Sequence, residues 1–183
     1  MEYGVDKTKQ KLQWALRIFL TIACVAMLVF IFSNSLKDGE ESVKQSSTVV
    51  QVVQDVVAVI APNSPVATAT GEAYERLHDL VRTLAHFTEF ALFGALLLWC
   101  VASYTWRKEG FWLALLGVVC VPLIDESLQA FVAGRGAEFR DVCADVAGGV
   151  SGILFALVVL LMIVGIIERK RRKREDGEKG QQF

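Results

Sequence analysis

Residues 14–32 read "WALRIFLTIACVAMLVFIF", an apolar run with a single charge at Arg17. A helix needs about 20 residues to cross the roughly 30 Å hydrocarbon core of a bilayer, so this run is long enough to span it. A cleaved signal peptide is the alternative, but its apolar region is typically shorter, and the following "SNSLKDG" has no small-x-small cleavage site. With 54% hydrophobic residues in a chain of 183, the composition is typical of a small polytopic membrane protein.

Three further apolar runs can span a membrane, at about 84–104, 111–132 and 142–167. The third is long enough only if it includes Asp125 and Glu126, so either its helix ends at the membrane surface there or it carries these carboxylates inside. We therefore predict an all-α, polytopic membrane protein with four transmembrane helices in one membrane domain, 14–167. A short segment, 1–13, precedes this domain, and a basic tail, 168–183, follows it.

The connection between the first two spans, 33–83, contains the stretch "VVQVVQDVVAVI". Its apolar residues recur at helical spacing, namely Val49, Val52, Val53, Val56, Val57 and Ile60. An edge strand is the competing interpretation because valine favours strands, but a lone strand beside a membrane leaves its backbone unpaired. We therefore predict an amphipathic helix on the outer membrane surface. The prolines and glycine of "APNSPVATATG" end it, and a new helix then runs into the second span.

The distribution of lysine and arginine predicts the orientation in the membrane. Thirteen of the 19 basic residues lie in the N-terminal segment, in the loop between spans two and three, and in the tail with its "RKRRKR" run. We therefore expect both termini in the cytoplasm. The tail run fits contact with anionic membrane lipids, and we predict no nucleic-acid partner. Thirteen of the 20 acidic residues then lie on the outer side, where polar residues from four separate spans or loops converge.

The second span begins with "RTLAHFTEF", in which Arg82, His86 and Glu89 share one helical stripe. Ionisable residues inside a span are costly and usually face the bundle interior or a wet cavity. Arg82 is therefore a candidate ligand-binding residue, and His86 and Glu89 are candidate catalytic residues. The alternative is that they only tie helices together, with His86 hydrogen-bonded and Glu89 paired to an arginine. His78, in the preceding helix, is expected to be exposed.

The end of the third span reads "DESLQ", in which Asp125 and Gln129 stack one turn apart. Glu126 lies about 100° further round the helix, so the three side chains cannot share one partner. Pro122 allows a kink that would aim this end toward the bundle axis. Asp125 is a third candidate catalytic residue, and Glu126 and Gln129 are candidate ligand-binding residues. The alternative is a helix end whose carboxylates are solvated among the lipid headgroups.

The loop before the fourth span reads "GRGAEFRD". Glycines on both sides of Arg135 suit a loop whose guanidinium reaches a carboxylate or a phosphate, and the alternative is an ordinary solvated loop. The remaining candidates for ligand binding are Arg140, Asp141 and Asp145, of which the last two share a helical stripe. Further along, Gly148 and Gly152 have the small-xxx-small spacing that predicts close helix packing.

The candidate residues include types that bind metals, namely His86, Glu89, Asp125, Glu126 and Asp145. However, the spacing HxxE is not the zinc-protease pattern HExxH, and only one histidine lies in a span. The four cysteines lie in or beside apolar runs without a CxxC pair, which argues against a disulfide framework and a zinc site. We therefore predict no metal ion and no other cofactor.

Three stretches together resemble the VanZ-like family of small bacterial membrane proteins: "FSNSLKDGEESVKQS", "LAHFTEFALFG" and "DESLQAFVAGRGAEFRDVCADVAGGVSG". The resemblance covers nearly everything from Phe30 to Ile167, and its motif positions include every candidate site residue except Arg140. The family commonly has tyrosine at the position of Phe90 and often asparagine at that of Asp145. Its founding protein gives low-level resistance to teicoplanin. The resemblance therefore implies a bacterial cytoplasmic membrane and a link to the cell envelope, without an established reaction.

These observations favour a polar site at the outer membrane face that binds or modifies the headgroup of an envelope lipid or a lipid-linked peptidoglycan precursor. Its arginines would hold a phosphate or a carboxylate, and His86, Glu89 and Asp125 would set protonation or perform acid–base work. The alternative is a structural or regulatory module whose buried charges only fix helix packing. A transporter has less support, because the four spans show no detectable inverted repeat.

Overall fold

The computed structural model describes residues 2–105 and 107–180, and their side chains over 7–105 and 107–173. Within these residues the chain forms five helices and no strand. The helices are α1 (Glu2–Ser35), α2 (Gly39–Ile60), α3 (Glu72–Tyr104), α4 (Lys108–Gln129) and α5 (Phe139–Gly180). The predicted all-α fold is confirmed, and the competing prediction of a strand in the long connection is wrong.

Four of these helices are long and apolar enough to cross a membrane, as predicted. The spanning stretches are Lys7–Ser35, Glu72–Tyr104, Lys108–Gln129 and Phe139–Lys173. The third ends at Gln129 rather than near Val132, because the chain turns immediately afterwards and Gly134 adopts a φ of 72°. That left-handed conformation is open to glycine and incompatible with a continuing helix.

Helix α3 is the centre of the bundle, since it packs against all four other helices and most extensively against α5. Glycines allow this close approach. A Cβ at Gly148 would collide with the backbone oxygen of Phe87, and one at Gly152 would collide with that of Ala91. The small-xxx-small spacing therefore lets two backbones meet, as predicted for helices packing in a membrane.

Apolar side chains fill the interior of the bundle. The largest fully buried ones include Ile31, Phe90, Phe93, Val118 and Ile153, and the rings of the two phenylalanines pack edge to face with centroids 6.5 Å apart. Many equally apolar side chains remain exposed on the outside of the spans. An apolar exterior is what lipid tails require of a membrane bundle, where the backbone is satisfied within the helices themselves.

Helix α2 begins earlier than predicted. It begins after Asp38, whose side chain caps it by accepting a hydrogen bond from the backbone N–H of Glu41 over 2.8 Å. The side that faces the rest of the protein is centred on buried Val50 and also carries Gln54, which is partly buried. Much of the predicted valine stripe faces outward instead, since Val49, Val52, Val56 and Ile60 are all exposed.

Arg17 is the charged residue within the apolar run of the first span, at the end of the bundle where α1 begins, and its charge has partners there. Its Nε donates a hydrogen bond to the backbone oxygen of Ser103 over 2.8 Å, and its guanidinium lies 5.3 Å from the ring centroids of both Trp14 and Tyr104. This end also holds the end of α5 and the junction between α3 and α4.

The predicted division into a short first segment, a membrane domain and a basic tail stays a prediction. Both of its boundaries, at residues 13–14 and 167–168, lie inside continuous helices. Two basic residues counted in the tail, Arg174 and Lys179, have side chains outside the described residues.

Candidate functional site

The polar side chains gather where α1 and α4 end and where the spanning parts of α3 and α5 begin. We call this end of the bundle the polar end. Its members are Asn34, Ser35, Arg82, His86, Glu89, Asp125, Glu126, Gln129, Arg135, Asp141 and Asp145. Antiparallel helices joined in sequence place these chain-distant residues at one membrane face. Each of the four spans contributes at least two of them.

Asp125 is held in the interior by two hydrogen bonds. The hydroxyl of Ser35 donates to its Oδ1 over 2.5 Å, and the amide of Gln129 donates to its Oδ2 over 3.0 Å. The three side chains are 0–2% exposed. The predicted stacking of Asp125 and Gln129 is present, and the alternative of carboxylates solvated among headgroups does not describe Asp125.

Asp145 lies beside His86, with 3.4 Å between its Oδ1 and the Nδ1 of the ring. Asp145 is completely buried, and the imidazole is 15% exposed. The two groups are within ion-pair distance, yet neither Nδ1 of His86 nor either carboxylate oxygen of Asp145 has a hydrogen-bond partner. A fully buried carboxylate in this condition is energetically costly unless something else compensates it.

The helical stripe of α3 that carries Arg82, His86 and Glu89 contacts two helices, α1 and α5. Arg82 pairs with Asp141 of α5 over 3.0 Å, one turn from the contact between His86 and Asp145. Glu89 instead accepts a hydrogen bond from the side-chain amide of Asn34 over 3.3 Å, so its partner is an amide rather than an arginine. The stripe therefore bridges α1 and α5 at the polar end.

Arg135 lies over the end of α1. Its Nη1 donates to the backbone oxygens of Asn34 and Ser35 over 3.0 and 3.3 Å, which satisfies carbonyl groups that the end of a helix leaves unpaired. Partial burial, and after it the nearby charge of Arg82, lower the pKa of the Arg135 guanidinium from its usual value. The predicted loop arginine thus has a structural contact on one side of its guanidinium.

Glu126 faces away from Asp125, as the helix geometry predicted. One of its carboxylate oxygens accepts a hydrogen bond from the backbone N–H of Glu138, and the other is buried without a partner. Glu126 therefore holds the loop that carries Arg135. Arg140 is 65% exposed and only approaches Asp141, at 3.9 Å, so it lies at the rim of the polar end.

Three of the candidate residues lie close enough together to bind one ion. His86, Asp125 and Asp145 come from three different spans. Each offers an atom of a type that coordinates metal ions, and these atoms all lie within 4.8 Å of one another. Glu89 interacts electrostatically with all three. Of the predicted residues, Arg82 and Asp141 pair with each other one turn from His86 and Asp145, and Arg140 lies at the exposed rim. Glu126 interacts electrostatically with His86 and Asp145.

Sequence reasoning missed two residues of the site and misplaced a third residue nearby. Asn34 and Ser35 belong to the "SNS" that ends the first apolar run, and small polar residues at that position were the available signal. His78, expected to be exposed, is buried at 9% exposure and stacks on Tyr74 with ring centroids 6.5 Å apart. It lies two turns before His86 and makes no contact with the group.

Comparison with known proteins agrees with the fold and the motifs. The sequence model of the family described as VanZ/LLP1 matches residues 19–162, which is most of the chain and includes every residue of the polar end. No curated protein matches the chain, and no solved structure matches it.

Proposed function

The chain belongs to the VanZ/LLP1 family, and on that premise we propose that its polar end binds the anionic headgroup of a cell-envelope lipid at the outer face of the bacterial cytoplasmic membrane. Lipid-linked peptidoglycan precursors carry such a headgroup, and the link to glycopeptide resistance implied by the family fits a ligand of that class. The phosphate of the lipid headgroup makes the principal contact with the polar end.

The observation that carries this proposal is that two arginines, Arg82 and Arg135, lie at the polar end. They come from a helix and a loop, and the charge of Arg82 acts on the guanidinium of Arg135 against the attraction of nearby carboxylates. Asp141 neutralises Arg82, but among the described residues no carboxylate lies within ion-pair distance of Arg135. A phosphate between the two guanidinium groups would relieve their repulsion through charge-assisted hydrogen bonds. The Nε of Arg82, which has no hydrogen-bond partner, supplies one donor.

A lipid is favoured over a soluble anion because α2 presents an apolar surface beside the site. The backbone N–H of Gly39, at the start of α2, donates to the carbonyl of Ala133 in the loop of Arg135 over 3.1 Å. From there α2 exposes its valine face, on which Val52 and Val59 are 57% and 86% exposed. An amphipathic helix with such a face lies at the boundary of headgroups and acyl chains. This surface supports a position of Arg135 at headgroup depth.

His86 is the group best suited to any modification of the bound headgroup. An imidazole beside a buried carboxylate can take up and release a proton, and Asp145 at 3.4 Å would stabilise its charged form. Glu89 and Asp125 are the neighbouring carboxyl groups that would share this work.

A structural or regulatory module is the second candidate, and one observation favours it. Ser35, Asp125 and Gln129 form a hydrogen-bonded chain that ties α1 to α4 without any ligand. If the polar end served packing alone, His86→Ala and Asp125→Asn would both remove the folded protein from membranes. If it is a functional site, both variants accumulate as folded protein in membranes and lose the protein's phenotype.

Lipid binding by the purified protein tests the proposal directly. Wild type is titrated in detergent with phosphatidylglycerol, phosphatidylcholine or inorganic phosphate, with a chelator present, and bound lipid is counted by native mass spectrometry. Arg82→Gln and Arg135→Gln should each weaken binding of phosphatidylglycerol roughly tenfold, since each removes a charge-assisted hydrogen bond.

Arg76→Gln is the matched control, because Arg76 lies on the same helix as Arg82 but is 76% exposed and pairs only with Glu72. It should bind as wild type does. Equal binding of the anionic and zwitterionic lipids, or unchanged binding by both Arg82→Gln and Arg135→Gln, would refute the proposal. Binding of inorganic phosphate as tight as that of the lipid would assign the site to a soluble anion.

A further inference from the structure

We propose that His86, Asp125 and Asp145 bind a divalent transition-metal cation, with Zn²⁺ as the first candidate and Mn²⁺ as the second. The three residues come from α3, α4 and α5, so a metal ion bound there would join three of the four spans. The sequence alone argued against a metal, because no two of these residues belong to a recognised ligand motif. The fold supplies the proximity that the sequence pattern does not show.

The strongest observation is the state of Asp145. It is completely buried, both of its oxygens lack a hydrogen-bond partner, and the Nδ1 of His86 that faces it lacks one as well. Six of the seven buried side-chain atoms without a partner, among the described side chains, lie at the polar end. Packing alone does not account for this concentration, since buried polar groups in folded proteins are nearly always satisfied. A cation between Asp145 and His86 satisfies three of the six.

The distances suit a small transition metal. Ligand atoms about 2.1 Å from a tetrahedral ion lie roughly 3.4 Å from each other. The Nδ1 of His86 and the Oδ1 of Asp145 are 3.4 Å apart. One ligand atom from each of His86, Asp125 and Asp145 lies within 4.8 Å of the other two, so a movement of the Asp125 carboxylate by up to about 1.5 Å completes a three-ligand set.

The ligand types narrow the choice of ion. An imidazole with two carboxylates suits Zn²⁺ or Mn²⁺, whereas Ca²⁺ prefers six to eight oxygen ligands and Mg²⁺ keeps several waters. Gln129 supports this arrangement in two ways. Its amide nitrogen orients Asp125, and its carbonyl oxygen, buried without a partner, is available as a further ligand or as an acceptor for metal-bound water.

The charges of the three ligand groups and the cation balance as well. Two carboxylates and a neutral imidazole carry a net charge of −2, and a divalent cation brings this to zero inside a membrane bundle, where an uncompensated charge is costly. Ser35 donates to Asp125 and so holds a ligand from outside the site, as supporting groups do in metal centres.

Metal binding is tested with the metal alone. The full-length protein is purified in detergent with a chelator, freed of the chelator, and equilibrated separately with Zn²⁺, Mn²⁺, Ca²⁺ or Mg²⁺. Bound metal per chain is then measured by elemental mass spectrometry. Wild type should retain one Zn²⁺ or one Mn²⁺ and neither Ca²⁺ nor Mg²⁺. Asp145→Asn and His86→Ala should lose more affinity than the roughly 10–100-fold that loss of a supporting group costs.

Asp79→Asn is the matched control, because Asp79 is an exposed carboxylate two turns before His86 on the same helix. It should bind metal as wild type does. The thermal unfolding temperature should rise with metal for wild type and for this control, because the ion binds only the folded state, and should not change for Asp145→Asn. Absence of a stoichiometric metal ion from wild type, or equal retention by Asp145→Asn, would overturn the proposal.

A measurement on wild type alone covers the case in which a variant does not fold. Co²⁺ in place of Zn²⁺ should give the visible absorption of a site with nitrogen and oxygen ligands, and a spectrum identical to free aqueous Co²⁺ would count against the site. The lipid assay contains a chelator and the metal assay contains no anionic lipid. Failure of either proposal therefore leaves the other standing on its own result.

Discussion

The hydroxyl of Ser35, the last residue of α1, donates a hydrogen bond to the Oδ1 of Asp125 in α4 over 2.5 Å. Both side chains are buried, so neither can exchange this partner for water. A hydrogen bond to a carboxylate contributes about 1.5–3 kcal/mol. Ser35→Ala should therefore lower the free energy of unfolding by roughly that amount, measured by a reversible denaturant titration in mild detergent.

Ser127→Ala is the control for this prediction. Ser127 lies on α4 close to Asp125, but it is exposed and its hydroxyl donates to the backbone oxygen of Leu123 in its own helix. Its removal should change the free energy of unfolding by less than about 0.5 kcal/mol. Equal effects of the two substitutions would mean that the contact between α1 and α4 contributes nothing specific.

Gly152→Ala should weaken the packing of α3 against α5. The added Cβ meets the backbone oxygen of Ala91, which cannot move aside as a flexible side chain can, so the helices must separate. Overpacking of this kind typically costs about 1–3 kcal/mol. We expect a lower unfolding temperature in a thermal denaturation experiment. We also expect less folded protein in membranes, measured by size-exclusion chromatography of detergent extracts.

Gly165→Ala on the same helix separates this effect from helix propensity. Nothing lies within 4 Å of a Cβ built at Gly165. Since alanine favours a helix over glycine by about 1 kcal/mol, this variant should be as stable as wild type or slightly more so. A loss of stability in Gly165→Ala as large as in Gly152→Ala would contradict the packing argument.

Gln54 should determine how firmly α2 is attached to the connection that follows it. Its side-chain amide donates to the backbone oxygens of Val66 and Ala69, each over 3.1 Å. Gln54→Ala leaves both acceptors without this donor, and the connection at 61–70 should be cleaved roughly fivefold faster or more by an added protease. Gln51→Ala is the control, because Gln51 is exposed and should leave the rate unchanged.

The helices were predictable because a bilayer imposes their length and composition. An apolar run of sufficient length must be helical in lipid, so the four spans follow from hydropathy alone. Relations within one helix were also predictable, because a helix has a fixed periodicity. The stacking of Asp125 and Gln129, the divergence of Glu126 and the packing role of Gly148 and Gly152 all follow from helix periodicity.

Contacts between helices were not predictable, because they depend on how each helix is rotated about its axis. Periodicity places Arg82 and His86 on one stripe, but it does not say that the stripe meets Asp141 and Asp145 rather than an arginine. It also does not show that Ser35 reaches Asp125. The same limit accounts for Gln54, which turns toward the protein because the carbonyls of the following connection need its amide.

The last prediction concerns the side of the membrane that the polar end faces. The excess of lysine and arginine at the opposite end predicts that the polar end is outside. Single cysteines placed in a variant without the four native ones test this. Cysteine at Asp38 or Ala137, both exposed near the polar end, should react in intact cells with a reagent that does not cross membranes.

Cysteine at Arg107, in the exposed loop between α3 and α4, should react only after the cells are opened. This position serves as the control for membrane integrity, because the loop lies at the end of the bundle that holds Arg17. The reverse pattern of labelling would place Arg82, Arg135 and the buried carboxylates at the cytoplasmic face. A headgroup in the outer leaflet would then be out of their reach, and the proposed ligand would have to be sought in the inner leaflet.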